Sequence, residues 1–341
     1  MSKSLKNFFE DLIIVVASII GVGFATGKEI ENFFCFNPFF FVSISIFIIL
    51  YYIFFHAVYK FKQRHNISSF FELNDKLFRK NKKIINFILI ALYSVVASAM
   101  LAGINNIFLE VFNLTLPIPS IVLSIITGII IFGGVDRIKF CFSKFVPILL
   151  FAIFVNLFVN SYNSTGGFKN FHFLNFYKFD IKTLIKSIIF PLLYFGSNFV
   201  LSISSLMSIR EKGKLIKNFS SIIFLVFLTL GCVTIFGQTK NLSMPFLTSS
   251  KSLSSVFFWL YFISIIFAIF SSSVISCYNE VQLINSSSNF GLLIILLINL
   301  ILSFLGFKFI IKYLFLFSGI IGLLYCILLI IKININKKLN K

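Results

Sequence analysis

Ten long runs of apolar residues dominate this chain and constrain its fold more than any motif does. Windows of about 19 residues place these runs at roughly 12–34, 38–59, 84–112, 119–135, 144–161, 183–208, 218–238, 253–277, 290–306 and 309–331. Each is close to the roughly 20 residues that a helix needs to cross a bilayer. The 341 residues are 58% hydrophobic and only 12% charged, whereas soluble domains carry roughly 25% charged residues. The sequence therefore predicts an all-α polytopic membrane protein whose main partner is the lipid bilayer.

The net charge of +19 is explained by membrane orientation. If the amino terminus lies inside, 21 of the 30 Lys and Arg residues fall in inner segments. Positive residues collect on the cytoplasmic side of membrane proteins. We therefore expect a multi-pass protein of the cell membrane with both termini cytoplasmic, and no nucleic-acid partner. Glu10 and Asp11 directly precede the first run, which argues against a cleaved signal peptide.

Residues for catalysis or metal binding are few and scattered. The chain has five Cys without a CxxC pair and three His, and it contains no HExxH motif. We therefore predict no enzyme, no metal site and no cofactor other than a coupling ion. The oligomeric state stays open.

The longest inner loop predicts a short helix near 69–80. Ser69 and Glu72 fit a capping box, and Phe70, Leu73 and Leu77 would then share one face. We expect this helix to lie on the inner leaflet. An ordinary solvated loop is an equal alternative.

Glycine interrupts the first apolar run near its middle. The segment Gly21-Val22-Gly23-Phe24-Ala25-Thr26-Gly27 has three glycines, each about 1 kcal/mol less favourable in a helix than alanine. Irregular backbone at that depth is tolerated only where protein buries it or a wet cavity borders it. Thr26 and Glu29 fit a capping box that would start a second half-helix.

Span six has a similar interruption half a chain later. Pro191 is followed by Tyr194-Phe195-Gly196-Ser197-Asn198. Interrupted segments at corresponding places in two halves indicate an inverted-repeat transporter and its binding site. We therefore expect a 5+5 inverted repeat with spans one and six broken. The first repeat would cover 1–161, an extracellular connection 162–182, the second repeat 183–331 and a cytoplasmic basic tail 332–341.

A broken helix offers two kinds of ligand. Its free amides can hold a carboxylate, and its free carbonyls can hold a cation. The predicted substrate residues are Gly23, Phe24, Ala25, Thr26, Gly27, Tyr194, Gly196, Ser197 and Asn198. The predicted ion-binding or coupling residues are Ile20, Gly21, Ser271, Ser272, Lys28 and Glu29. For the two serines of span eight, simple packing or bonding back to a carbonyl is the favoured alternative.

Lys28 and Glu29 are the innermost ionisable pair, and function is the default hypothesis for such residues. An equal alternative is that Glu29 only caps the half-helix while Lys28 pairs with Glu31 or extends outward.

The run from Gly21 to Ile30, with Phe33 and Phe34, resembles the GxGFASGQE-type opening of the YkvI-like membrane proteins. These are relatives of the amino acid–polyamine–organocation transporters. The resemblance implies a 5+5 inverted repeat with substrate between spans one, three, six and eight, and hydroxyl cation ligands at Ser271 and Ser272. Thr26 replaces the usual Ser, and Lys28 replaces the usual Gln.

These patterns lead to one functional hypothesis and its alternatives. We expect a secondary transporter that moves a small zwitterionic solute, such as an amino acid, by alternating access, with Na+ or H+ as the candidate coupling ion. The main alternative is a receptor on a transporter fold that binds without net transport. A channel fits central breaks less well than an occluded site does.

Overall fold

The computed structural model describes residues 3–36, 38–163, 180–210, 212–236, 244–251, 254–284 and 289–339. These residues form helices joined by short connections, without a β-strand among them. The α-helices are α1 (Lys3–Ala17), α2 (Val22–Thr26), α3 (Lys28–Phe33), α4 (Phe40–His65), α5 (Phe70–Phe78), α6 (Lys82–Phe112), α7 (Ile118–Phe132), α8 (Gly134–Asn163), α9 (Ile181–Ser208), α10 (Gly213–Phe236), α11 (Pro245–Lys251), α12 (Ser255–Ile284), α13 (Asn289–Ser303), α14 (Phe307–Phe309) and α15 (Phe315–Leu339). A π-helical turn at Ile310–Leu314 joins α14 to α15.

The helices have the length and surface of a membrane protein. Within the described residues, six segments are long and apolar enough to cross a membrane, namely α4, α6, α9, α10, α12 and Phe307–Ile335. The same part of the chain has three shorter apolar helices: Ile118–Phe132, Pro147–Tyr162 and Phe290–Ser303. Large apolar side chains point outward, and Phe151 is 69% exposed. Only lipid suits such a surface, which confirms the prediction of an all-α polytopic membrane protein.

Span one is broken, as predicted, although the break lies earlier in the chain. Helix α1 ends at Ala17 and α2 begins at Val22, so residues 18–21 form the irregular backbone. A second interruption follows at Gly27, whose φ of +84° suits glycine because a side chain would clash there. Span one therefore consists of α1, α2 and α3.

The predicted capping box at Thr26 and Glu29 is wrong. Gly27 occupies the position that caps α3, and no side chain caps that helix. The Thr26 hydroxyl turns back and donates to the Gly23 carbonyl at 3.3 Å. The Glu29 side chain is left free to point elsewhere.

The predicted break in span six is also wrong, because α9 runs uninterrupted from Ile181 to Ser208. The Ser197 hydroxyl and the Asn198 amide each donate to the Tyr194 carbonyl at 3.1 Å. These local hydrogen bonds satisfy the polar run within a regular helix. Gly196 permits close helix packing, since a β-carbon there would lie 2.4 Å from the carbonyl oxygen of Gly319 in α15.

Helix α5 lies where the sequence predicts a short helix, but its surroundings differ from the expected inner leaflet. The Ser69 hydroxyl accepts from the Glu72 amide at 3.1 Å. The Ser68 amide donates to the Glu72 carboxylate at 2.8 Å, and this hydrogen bond lowers the pKa of Glu72. The face that carries Phe70, Leu73 and Leu77 is buried against protein, because α5 packs on α6, α9 and α15. The helix is therefore neither a solvated loop nor a helix whose apolar face rests on lipid.

Two of the predicted boundaries fall near the edges of the described residues. Helix α15 continues to Leu339, so the predicted basic tail is helical up to that residue. Most of the predicted connection at 162–182 lies outside the described residues, which resume before α9 begins at Ile181.

Several helix contacts in the first half of the chain have a counterpart in the second half. Helix α4 packs on α9, and α10 correspondingly packs on α1. Likewise α8 packs on α1, and α15 packs on α9. Span one and α9 therefore occupy equivalent central positions, each flanked by spans from both halves.

Candidate substrate and coupling site

A narrow cavity lies at the break in span one. It is lined by Ser18, Ile19, Gly21 and Glu29 of span one, Val96 and Met100 of α6, Asn198 and Leu201 of α9, Ser272, Ile275 and Ser276 of α12, and Phe315 of α15. The space open to the centre of a water molecule is about 10 Å³, which is close to the minimum for one water. A solute of amino-acid size can enter only if these side chains move. We call this space the central cavity.

Glu29 supplies the carboxyl group in the wall of the central cavity, and its side chain is buried. A β-carbon at Gly23 would lie 2.2 Å from Glu29 Oε1, so this glycine makes room for the carboxyl group. Glu29 Oε2 and the Tyr194 hydroxyl both lack a hydrogen-bond partner among the described residues. The two groups face each other closely enough to interact electrostatically. Segments of spans one and six that the sequence singled out therefore meet at a buried carboxyl–phenol pair.

Only part of the predicted substrate set reaches the central cavity. Asn198 lines it, while Gly23 and Tyr194 lie against Glu29. The other predicted residues are engaged in packing or in local hydrogen bonds: Phe24, Ala25, Thr26, Gly27, Gly196 and Ser197.

The packed residues around α2 have specific neighbours. The Phe24 ring packs on Phe227, with their ring centres 6.4 Å apart. The Ala25 carbonyl accepts a hydrogen bond from the Tyr261 hydroxyl. A β-carbon at Gly27 would lie 2.9 Å from the ring of Phe246. These contacts hold α2 in place, and the substrate role of Phe24, Ala25 and Gly27 stays a prediction.

The predicted cation ligands converge only in part. Gly21 and Ser272 both line the central cavity, and a β-carbon at Gly21 would lie 3.5 Å from Ser272 Oγ. Ser271 instead donates to the Ala268 carbonyl at 3.0 Å, which is the alternative weighed for it. Ile20 is buried in the apolar core. Across the described parts of the chain, no group of three or more His, Cys, Asp or Glu could hold a metal ion.

Lys28 faces a second space, here called the outer cleft. The cleft has a volume of about 540 Å³ and is lined by Lys28, Asn32, Phe33, Phe190, Lys308, Ile311, Lys312, Tyr313 and Leu316. Lys28 Nζ lies 2.8 Å from Glu31 Oε2, which is the pairing weighed as an alternative in the sequence. Glu31 offsets the charge of Lys28, so Lys308 and Lys312 give the cleft its positive potential, which attracts anionic groups.

Three aromatic rings separate the outer cleft from the central cavity. The ring centre of Phe33 lies 5.4 Å from that of Tyr194 and 5.9 Å from that of Phe315. Phe33 borders the outer cleft, whereas Phe315 borders the central cavity. We call Phe33, Tyr194 and Phe315 the aromatic layer.

A polar network closes the opposite end of the molecule. The Arg210 amide, just after α9, donates to Asp11 Oδ2 at 2.8 Å. The Arg210 guanidinium contacts Asn7 at 2.7 Å and Glu10 at 3.0 Å, both in α1. Lys62 at the end of α4 donates to the Ile209 carbonyl. This inner network ties the start of span one to the end of span six.

The sequence reasoning missed a second buried carboxyl group, that of Glu280. The apolar window ended at 277, but α12 continues to Ile284 and carries Glu280 into the interior at 0% exposure. Asn299 of α13 donates to both Glu280 carboxyl oxygens, at 3.2 and 3.1 Å. Asn299 could have drawn attention, because it is a lone amide in a strongly apolar run.

Comparison with known proteins gives a fold. No family model and no curated protein matches the chain. The structure is similar to that of MhsT in complex with L-phenylalanine, with 15% identity, a TM-score of 0.61, and coverage of 95% of this chain and 94% of that one. It is similar to Mhp1, a nucleobase-cation-symport-1 family transporter, with 12% identity, a TM-score of 0.59 and coverage of 86% and 70%.

A Na+-coupled sialic acid symporter is also similar, with 13% identity, a TM-score of 0.58 and coverage of 94% and 72%. At such low identity these likenesses show the fold alone. The chain therefore has the all-α polytopic membrane fold that these transporters share.

Proposed function

We propose that this protein is a secondary transporter that moves a small zwitterionic solute, such as an amino acid, across the cell membrane by alternating access. The two halves would form the 5+5 inverted repeat expected from the sequence, and the matched helix contacts in the two halves support that arrangement. Both termini would be cytoplasmic, as the distribution of Lys and Arg indicates.

One observation carries this proposal: the broken span one borders a narrow central cavity that lies between two separate groups of packed or hydrogen-bonded side chains. The aromatic layer lies between this cavity and the outer cleft. The inner network joins α1 to the segment after α9. A binding site that can be closed on both sides is what alternating access requires, whereas a channel needs a continuous open path.

The charges of the described residues favour a solute that carries a carboxylate. Lys308 and Lys312 would attract such a group to the outer cleft. Gly21, Asn198 and Ser272 then offer polar contacts in the central cavity, and Glu29 can receive an ammonium group. A zwitterion has both groups: a carboxylate for the lysines of the outer cleft and an ammonium for Glu29.

The proposal is tested by counterflow in proteoliposomes. Vesicles loaded with one unlabelled L-amino acid at a time would be assayed for uptake of the same radiolabelled amino acid, with and without sodium. The wild-type protein should accumulate label for at least one amino acid. Binding without counterflow would instead support a receptor, and neither binding nor counterflow across the panel would refute the proposed substrate class.

Gly23→Ala tests the site itself. The new β-carbon would overlap the Glu29 carboxyl group and displace it, so counterflow should fall at least about tenfold. Gly128→Ala is the matched control, because its β-carbon would meet only the flexible Leu296 side chain, away from the cavity. Normal counterflow in well-folded Gly23→Ala protein would contradict the assignment of Glu29 to the substrate site.

A further inference from the structure

Glu280 is a buried acid in the last two turns of α12. It is not part of the proposed substrate site. It is 0% exposed, and no salt bridge to it exists within the described residues. An ionised carboxylate without a cation is strongly unfavourable in such surroundings. A neutral carboxylic acid avoids that penalty.

The hydrogen bonds around Glu280 point to the same protonation state. Both of its oxygens accept from the single Asn299 Nδ2 group. Asn299 is itself 0% exposed, and its Oδ1 atom has no hydrogen-bond donor among the described residues. A carboxylate has no proton to donate to this unpaired acceptor, whereas a protonated Glu280 carries an O–H donor beside the same amide group. Exchanging the amide oxygen and nitrogen would still require a carboxyl proton.

Among the described residues, the other groups that interact with Glu280 supply no positive charge. They are the Tyr93 ring and the Ser94 hydroxyl of α6 and the Cys277 thiol of α12. The Tyr93 hydroxyl donates to the Val200 carbonyl at 3.1 Å and is already engaged. The NH2 group of Asn299 faces both carboxyl oxygens, which disfavours a metal cation at the same place. The site suits a proton better than sodium.

Glu280 also lies between the central cavity and the inner end of α12. Ser276, one turn earlier on the same face, lines the central cavity. Helix α12 ends four residues after Glu280, at Ile284. A proton held here is therefore close to the cavity on one side and to the inner end of the helix on the other.

We propose that Glu280 is a proton-binding site that couples solute movement to the proton gradient. The Glu280 carboxylate takes a proton from water on the outer side and stays a neutral acid while the protein changes conformation. It then releases the proton to water on the inner side. One O–H bond forms and later breaks, and no other reactant is needed. The coupling role rests on the proposed function. The presence of a proton on Glu280 does not depend on that function.

Infrared spectroscopy of the protein in phosphatidylcholine–phosphatidylglycerol vesicles tests the bound proton directly. At neutral pH the wild-type protein should show a carboxylic-acid C=O band with a component that Glu280→Gln removes. Glu110→Gln is the control, and it should leave that component unchanged. Loss of carboxylate bands instead of the acid component in Glu280→Gln would overturn the proposal.

A second variant keeps the test decisive if Glu280→Gln does not fold. Asn299→Leu removes the amide partner, so the same acid component should shift in frequency without disappearing. An Asn299→Leu spectrum identical to that of the wild type would count against a protonated Glu280.

Transport assays separate the coupling role from the proposed function. Wild-type vesicles should take up an equimolar mixture of radiolabelled L-amino acids when a pH gradient is imposed. Glu280→Gln should lose this driven uptake by at least tenfold and keep counterflow. Equal pH-driven uptake by both proteins would overturn the coupling role. Absence of counterflow in the wild type would refute the proposed function and leave the infrared assignment intact.

Discussion

The Tyr194 hydroxyl faces Glu29 but has no hydrogen-bond partner in the described structure. An unpaired buried hydroxyl costs about 1–3 kcal/mol. Tyr194→Phe should therefore melt at the same temperature as the wild type or higher. If the hydroxyl serves Glu29 or the solute during transport, the same variant should lose counterflow by about tenfold.

Thermal unfolding in detergent and counterflow in vesicles measure the two effects separately. Tyr261→Phe is the comparison, because the Tyr261 hydroxyl is paired with the Ala25 carbonyl and its loss should lower the melting temperature. A less stable Tyr194→Phe protein with normal counterflow would contradict the prediction.

Candidate functional residues could be predicted from the sequence where a residue type is rare inside an apolar span, as glutamate is, or disfavours a helix, as glycine does. Glu29 and Gly23 stood out in the sequence, but only the structure shows that the glycine makes room for the carboxyl group. Glu280 was missed because a hydropathy window ends before the helix does. A window reports average polarity, and it cannot show that a carboxyl group near its edge turns inward.

At the scale of helices, the close approach of α9 and α15 should be sensitive to one methyl group. A β-carbon at Gly196 would lie 2.4 Å from the Gly319 carbonyl oxygen and 2.5 Å from the Leu323 amide nitrogen, both backbone atoms. Gly196→Ala should therefore lower stability by about 1–3 kcal/mol through overpacking.

Thermal unfolding of the purified protein in detergent checks this. Gly128→Ala again provides the control, since a flexible side chain can give way there. Equal melting temperatures for the two variants would show that α9 and α15 can separate without loss.

The contrast between spans one and six shows what a glycine pattern can and cannot predict. Span one breaks, and Gly27 takes a positive φ that favours glycine. Span six holds glycine and polar residues and remains helical, because Gly196 meets another backbone and Asn198 bonds within its own helix. Both uses of glycine look alike in a sequence, and only the partner helix distinguishes them.

For the whole molecule, the inner network should set how readily its own end of the protein opens, which is the cytoplasmic end in the proposed topology. The Arg210 side chain is partly exposed and joins Glu10 and Asn7. Loss of such contacts destabilises the closed form by about 1 kcal/mol, which raises the ratio of open to closed molecules roughly fivefold. Arg210→Ala should therefore favour the inward-open form.

Labelling of Ser18→Cys by a membrane-impermeant maleimide from the inner side measures this opening, because Ser18 lines the central cavity. The Arg210→Ala background should label several times faster than the Arg210 parent. Arg64→Ala, at the exposed end of α4, should not change the rate. Equal rates in all three proteins would mean that the network does not control access.

The fold class was predictable, since long apolar runs with few charges indicate an all-α polytopic membrane protein, whereas the direction of the spans stays a prediction from the distribution of Lys and Arg. The way these spans pack was not predictable, because an apolar side chain can pack equally well against many other apolar side chains or lipid. Neither the aromatic layer nor the meeting of Gly21 with Ser272 follows from spacing along the chain.

The two closures are chemically different, and ionic strength should act on them in opposite directions. Dissolved salt screens the charges that join Arg210 to Glu10 and weakens the closure formed by the inner network. Sulfate and similar salts strengthen the burial of apolar rings and favour closure of the layer around Phe33 and Phe315. Salt composition alone would then bias this molecule toward its inward-open form.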